Sequence, residues 1–133
     1  MKSCLIVDDS QVVRKVLRRI IEDMRFTCDE SDNGQEAYDY CRAHMPDVVI
    51  VDCMMPFMGG VEFVQKIRRA PGGKHPAIIV CSSDNEEKTM RAIIGAGADE
   101  YIMKPFDRAI VRSKFTILGL NEAGADNGET AAV

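Results

Sequence analysis

An α/β domain built on a parallel sheet, with helices on both faces, is the fold class this sequence predicts. Five short apolar runs alternate with five segments of helical period, and the connections between them are of ordinary length. The chain has 133 residues, of which 46% are hydrophobic and 29% charged. That is a globular balance and the size of one domain with one core.

The elements follow in order. "CLIV" (4–7) is a short apolar run, as expected of a strand covered on both faces. Val13, Val16, Leu17, Ile20, Ile21 and Met24 then recur at helical spacing, with Ser10 placed as the cap. "FTCDES" (26–31) is a weaker strand, closed by the turn signal Asn33-Gly34. Ala37, Tyr40, Cys41 and His44 mark one side of a second helix that Pro46 stops. "DVVIVD" (47–52) is the plainest strand, with four consecutive β-favouring residues, too few for a buried helix. Beyond Pro56 and Gly59-Gly60, a third helix carries Phe63, Val64 and Ile67 and breaks at "PGGKHP". "AIIVCS" (77–82) is a fourth strand. Asp84 or Asn85 is placed to cap a fourth helix bearing Met90, Ile93 and Ile94, which ends at Gly95 or Gly97. "EYIM" (100–103) is a fifth strand, and Asp107 opens a last helix with Val111, Phe115 and Leu118. Residues 1–120 thus read as the domain, and the small polar stretch 121–133 as a disordered tail.

Composition excludes several function classes. A net charge of -4 does not suit a general nucleic-acid binder, which needs a basic face. "RKVLRR" (14–19) lies within an amphipathic helix and reads as its solvated side. Five cysteines, Cys4, Cys28, Cys41, Cys53 and Cys81, include no CxxC pair. Reduced core thiols fit better than a disulfide framework or zinc site. His44 and His75 have no second metal-type residue at a useful spacing and read as structural or exposed. The apolar stretch near the N-terminus is too short for a leader, and no run is long enough to span a membrane. The cytoplasm is the expected location.

The polar residues gather at one edge. The first strand ends at Asp8-Asp9, the third at Asp52, the fourth at Ser82-Ser83 and the fifth at Lys104. Open α/β sheets bind ligands outside the carboxyl ends of their strands. Three clustered carboxylates cannot all ionise cheaply, because like charges raise one another's pKa. A hard divalent cation removes the conflict, and Mg²⁺ suits oxygen ligands shared with a phosphoryl group. Lys104 fits as a point charge paired with Asp52 or with a phosphoryl group there, and a serine hydroxyl can donate to the same oxygens. The set fits phosphoryl transfer to a carboxylate nucleophile.

Residues 2–118 resemble the receiver domain of two-component response regulators, of the stand-alone CheY-like kind. The resemblance rests on "IVDDS" (6–10), "DVVIVDCMMPFMGG" (47–60), "IIVCSS" (78–83) and "GAGADEYIMKPF" (95–106), in that order and spacing. It implies a flavodoxin-like doubly wound sheet of order 2-1-3-4-5 and a cis bond before Pro105. It further implies that Asp52 is the phosphoacceptor, taking its group from a sensor histidine kinase or a histidine phosphotransfer protein. Asp9 would then bind Mg²⁺ directly, Asp8 mostly through water, and the main-chain carbonyl of Met54 would be a further ligand. Lys104 would assist the transfer. Ser82 would be the switch hydroxyl, Ser83 its small neighbour, and Tyr101 the aromatic that turns inward when Ser82 moves to the phosphoryl group. Met54 and Asp84 resemble positions that tune acyl-phosphate hydrolysis, so Met54→Asn should alter the phosphoryl lifetime. Met54, Met55 and Met58 cluster after Asp52, either packed under a mobile loop or offered to a partner.

Function follows as an expectation. The chain is a phosphoacceptor signalling protein rather than an enzyme, with only self-directed phosphoryl transfer and dephosphorylation. With no DNA-binding domain expected after the last helix, output is protein binding through the face made by the fourth helix, fifth strand and fifth helix. A chemotaxis-type messenger and a phosphorelay shuttle to a histidine phosphotransfer protein are both open, and a monomer is expected. A Mg²⁺-dependent aspartyl-phosphate phosphatase of the haloacid-dehalogenase kind would want a second carboxylate where Met54 stands. A flavodoxin would want a phosphate loop where Asp8-Asp9 would repel the phosphate.

Overall fold

Each apolar run becomes a strand whose side chains are covered from both sides, which is why the runs lack the polar alternation of a half-exposed sheet. The structure, a computed structural model, describes residues 1–120; the stretch 121–133, read as a tail, lies outside the described residues. The elements are β1 (Ser3–Val7), α1 (Gln11–Asp23), β2 (Thr27–Ser31), α2 (Gly34–Ala43), β3 (Val48–Asp52), α3 (Gly60–Arg69), β4 (Ala77–Ser82), α4 (Glu87–Gly95), β5 (Glu100–Met103) and α5 (Arg108–Ile117). All five strands are parallel, in the order β2-β1-β3-β4-β5, as the resemblance implies. The Lys104–Pro105 peptide bond is cis.

Alternation along the strands sorts the core into two layers. Cys4 and Ile6 of β1, Val48 and Ile50 of β3, Ile79 and Cys81 of β4 and Ile102 of β5 pack with Leu17, Ile20, Ile21, Val111 and Phe115 of α1 and α5. Leu5, Val7, Val49, Val51, Ile78 and Val80 point the other way, against Ala37, Phe63, Val64, Ile67 and Ile93 of α2, α3 and α4. Four of the five cysteines are buried in these layers. Burial pushes the Cys81 thiol up to about 12 and leaves it chemically quiet at neutral pH.

Caps follow local chemistry. Ser10, Asn33 and Asp107 each accept a main-chain N–H three residues on, closing the starts of α1, α2 and α5. Asn33 is therefore the cap of α2 rather than part of a free turn. The fourth helix departs from expectation. It starts at Glu87 after Glu86, with no side-chain cap bond, while the Asp84 carboxylate accepts Glu86 N–H and the Thr89 hydroxyl instead of a main-chain N–H of the helix. On the predicted buried faces, Val16 and Ile94 are exposed and His44 lies outside α2 as its exposed C-cap. Beside Val16 and Ile94, the neighbouring Ile20 and Ile93 fill the core instead.

α3 begins hard against the end of the central strand. A Cβ on Gly60 would lie 2.7 Å from the Asp52 carbonyl oxygen and 2.8 Å from the Cys53 Cα. The backbones have no room to part, since Gly60 N–H donates to the Cys53 carbonyl at 2.9 Å. Gly60→Ala is expected to cost about 1–3 kcal/mol, the usual penalty of overpacking, read as a lower urea midpoint. An unchanged midpoint would show that α3 can withdraw.

Candidate functional site

The acidic edge is assembled by register. Val7 of β1 pairs with Val51 of β3, so the next residues, Asp8 and Asp52, leave the sheet side by side. Asp8 N–H donates to the Ser31 carbonyl at 3.1 Å, Cys53 N–H to the Cys81 carbonyl at 2.7 Å, and Lys104 N–H to the Ser82 carbonyl at 2.8 Å. These bonds continue the ladder just beyond the strand ends and fix the backbone from which the polar side chains project. Arg14 adds a tie from α1, donating to the Asp8 carbonyl at 2.6 Å.

Asp8, Asp9 and Asp52 each place a carboxylate oxygen within 4.8 Å of the others. Asp8 is 2% and Asp52 8% exposed, so two of these charges are almost out of water. Lys104 is the one cation on them among the described residues: its Nζ lies 3.0 Å from Asp8 Oδ2 and 3.4 Å from Asp52 Oδ1. The sequence paired this lysine with Asp52. The structure gives its shorter bond to Asp8, whose other oxygen accepts Ser10 N–H at 2.9 Å. Both Asp8 oxygens are thus already engaged. Asp9 is exposed, and its carboxylate has no protein hydrogen-bond partner among the described residues.

The electrostatics follow. Burial, and then the neighbouring Asp8 charge, hold the Asp52 carboxyl above its ordinary range; Lys104 and a bond from Met54 N–H oppose them without prevailing. Burial also works against charge on Lys104, but its bond to Asp8 and the charges of Asp52 and Asp8 outweigh this and raise its pKa. One ammonium serves two buried carboxylates, and Asp52 is left the less compensated. An oxygen-only donor set with surplus negative charge fits a hard dication.

The remaining predicted residues fall as follows. Ser82 ends β4 and is 3% exposed, while Ser83 is exposed. The Ser82 hydroxyl does not reach the carboxylates; it accepts Asp84 N–H at 3.0 Å. Both Asp84 oxygens have protein partners: one accepts Glu86 N–H and the other the Thr89 hydroxyl, both at 2.8 Å. Tyr101 is half-buried, with Lys114 Nζ 5.4 Å from its ring centroid. Pro105 follows Lys104 with its ring exposed. Met54 is 77% exposed, Met58 is buried at 3% and Met55 partly packed, so the cluster divides between surface and core. The Met54 carbonyl makes no backbone hydrogen bond among the described residues. His75 bonds Asp47 at 2.8 Å, before the start of β3 and thus at the opposite end of the strand from Asp52, and His44 is exposed.

A family model described as the response regulator receiver domain matches residues 4–116. The chain belongs to that family. Over 110 residues this receiver domain is 40% identical to the chemotaxis protein CheY of Halobacterium salinarum, spanning 83% of this chain and 90% of that one. It is also 34% identical over 102 residues to the response regulator MprA of Mycolicibacterium vanbaalenii, covering 43% of that longer protein. Among solved structures, the chemotaxis response regulator CheY4 of Vibrio cholerae superposes with a TM-score of 0.84 at 25% identity, over 89% of this chain and 98% of that one. The receiver domain of the sensor histidine kinase PA1611 of Pseudomonas aeruginosa shares the fold, with a TM-score of 0.80 at 22% identity, over 87% and 95% of the two chains. That domain has a magnesium ion coordinated in its active-site cleft. The receiver domain described here is thus a CheY-like response regulator.

The acid cluster should show itself in stability. The folded receiver domain keeps a proton on Asp52 at pH values where the unfolded chain would release it. Stability is therefore lost as pH rises from the ordinary carboxylate range through the raised pKa of Asp52. Asp52→Asn removes that loss while Lys104 keeps Asp8 as its partner. Its melting temperature is expected to exceed wild type by about 2–8 °C at neutral pH, and the gain to shrink at about pH 3, where the Asp52 carboxyl is largely protonated in the folded and the unfolded chain alike. An equal or lower melting temperature at neutral pH would contradict this.

Proposed function

We propose that Asp52 accepts a phosphoryl group from a phosphohistidine on a sensor kinase or histidine phosphotransfer protein, and that this switches binding to an output protein. One observation carries the reading: three acids lie within 4.8 Å of one another with one ammonium, paired with two of them, at the carboxyl edge of the sheet. Such an edge is under-neutralised at rest and suited to a dication and a phosphoryl group together. Asp9, whose carboxylate is uncommitted, would bind Mg²⁺ directly. Asp8, both of whose oxygens are engaged, would act mostly through water. Asp52 and the Met54 carbonyl would complete the protein ligands. Bound Mg²⁺ supplies charge neutralisation for the acids and for a phosphoryl oxygen.

The chain's own groups do the rest. An Asp52 oxygen attacks phosphorus; the P–N bond of the phosphohistidine breaks, and the imidazole leaves with the bonding pair and takes a proton. Lys104 already lies 3.4 Å from Asp52 and can pair with the arriving oxygens without leaving Asp8. Phosphorylation then adds about -1.5 to -2 charges and three strong acceptors at one point. Ser82 is drawn to donate to them, Tyr101 moves into the space it leaves, and α4, β5 and α5 follow as one face. Pro105, next to Lys104, sits where that face meets the site.

The likeness to the Halobacterium salinarum chemotaxis protein supports a role in motility signalling. No helix of the described residues is long and apolar enough to cross a membrane, in keeping with action in the cytoplasm. The self-directed chemistry, with residues 1–120 as the receiver and no nucleic acid or membrane partner, completes the reading.

Incubation with phosphoramidate and Mg²⁺, followed by intact-mass measurement, is expected to add one phosphoryl group to wild type and none to Asp52→Asn. An unmodified wild type would refute the assignment. Exposed Met54 cannot orient a hydrolytic water, whereas an amide there can. Met54→Asn is thus expected to shorten the phosphoryl lifetime on the order of fivefold, the worth of about one hydrogen bond. Equal decay of the two proteins would count against it.

A further inference from the structure

The Ser82 hydroxyl is held by its own loop. It accepts Asp84 N–H at 3.0 Å and faces the Asp84 carbonyl oxygen at 3.4 Å. Among the described residues it makes no bond to Asp8, Asp9 or Asp52. Asp84 is itself held twice, by Glu86 N–H on Oδ1 and by the Thr89 hydroxyl on Oδ2, each at 2.8 Å. Thr89 is the third residue of α4, and the α4 N-cap, Glu86, provides no side-chain cap of its own. A single carboxylate therefore joins the first turn of α4 to the backbone N–H on which Ser82 rests. These bonds hold the Asp84 carboxyl below its usual range, the Glu86 N–H contributing most.

We propose that Asp84 and Thr89 are positioning residues that keep Ser82 directed away from the acid cluster, so that the Thr89 hydroxyl sets how readily Ser82 reaches a phosphoryl group on Asp52. This rests on the reading that Asp52 is the phosphoacceptor. To donate to a phosphoryl oxygen, the Ser82 hydroxyl must turn from Asp84 or carry the Asp84 backbone with it. Turning away gives up the bond from Asp84 N–H, and carrying the backbone along works against the bonds that hold Asp84 to Glu86 and Thr89. The cost falls on the engaged state alone, so the latch lowers its population. Removing the Thr89 hydroxyl loosens the Asp84 carboxylate and, through it, the resting place of Ser82. The same connection carries the site's state to α4, since Thr89 belongs to that helix. Asp84 thus acts through Ser82.

Thr89→Val is the clean test, because it keeps shape and net charge and deletes one donor; Thr89→Ser restores the donor. Beryllofluoride, a tetrahedral stand-in for a phosphoryl group, is titrated with Mg²⁺ into the full-length chain. Backbone amide shifts of residues 82–89 and of Tyr101 give the saturation curve. Thr89→Val is expected to saturate at about 2- to 10-fold lower beryllofluoride than wild type, the range that one hydrogen bond allows. Thr89→Ser should match wild type, and the affinity for Mg²⁺ alone should be the same in all three. A merely structural role for Thr89 would lower the melting temperature of Thr89→Val and leave saturation unmoved, which overturns the proposal. So would a gain shared by Thr89→Ser, since packing rather than the hydroxyl would then be responsible. A wild type that binds Mg²⁺ but no beryllofluoride would instead refute the phosphoacceptor reading, and this inference with it.

Discussion

One ammonium shared between two buried carboxylates, with a third acid alongside, is the constraint on which the site depends. Lys104 lies 3.0 Å from Asp8 and 3.4 Å from Asp52, and neither acid has appreciable contact with water. In a low-dielectric edge an unmatched charge is costly. The resting protein therefore carries a deficit of positive charge at a fixed point, and whatever binds there must supply it. Because the deficit is built from the folded backbone, it disappears on unfolding. The site is kept at the expense of some stability, the usual relation between a working centre and the core beneath it.

The rest of the molecule is arranged to hold that edge still. Two apolar layers grip the sheet from either side, so the strand ends cannot slide to separate the charges. Register places Asp8 beside Asp52, Gly60 lets α3 press against the carbonyl of Asp52, and Arg14 ties α1 to the backbone of Asp8. The opposite behaviour appears one strand away. Ser82 is buried, yet its hydroxyl accepts Asp84 N–H from its own loop, and the chain from Asp84 to Thr89 is held by a few hydrogen bonds near the surface. A rigid acid cluster beside a lightly latched loop is a suitable pairing for a switch. On the proposed function, a ligand would bind the fixed point and the movable part would adjust to it.

Much of this was legible in the sequence, for physical reasons. Runs such as "VVIV" before Asp52 are β-branched and too short for a buried helix, which points to a strand covered on both faces. Once four strands end in acids, a serine and a lysine, parallel pairing must bring those ends together. The resemblance added the strand order and the cis bond before Pro105, which periodicity does not contain. What stayed hidden depends on distances of an ångström or less. No spacing rule states that Lys104 bonds Asp8 more closely than Asp52. Asp84 looked like a helix cap because its residue type suits that role, but its carboxylate is spent on Glu86 and Thr89 and the helix starts later. Phe57 takes a left-handed φ of 70° although it is neither glycine nor asparagine, and nothing in the local sequence announces it. Val16 and Ile94 matched the helical period yet stayed exposed, since the period marks a stripe wider than the space the core can fill.

The charge deficit can be measured without any phosphodonor. Mg²⁺ titrated calorimetrically into wild type and Asp9→Asn at neutral pH tests whether the uncommitted acid completes a dication site. The expected result is one ion per chain in wild type, with binding weakened at least about tenfold in Asp9→Asn, a loss of about 1.4 kcal/mol. Identical isotherms for the two proteins, or no heat from wild type at millimolar Mg²⁺, would contradict the central claim that these acids await a hard cation.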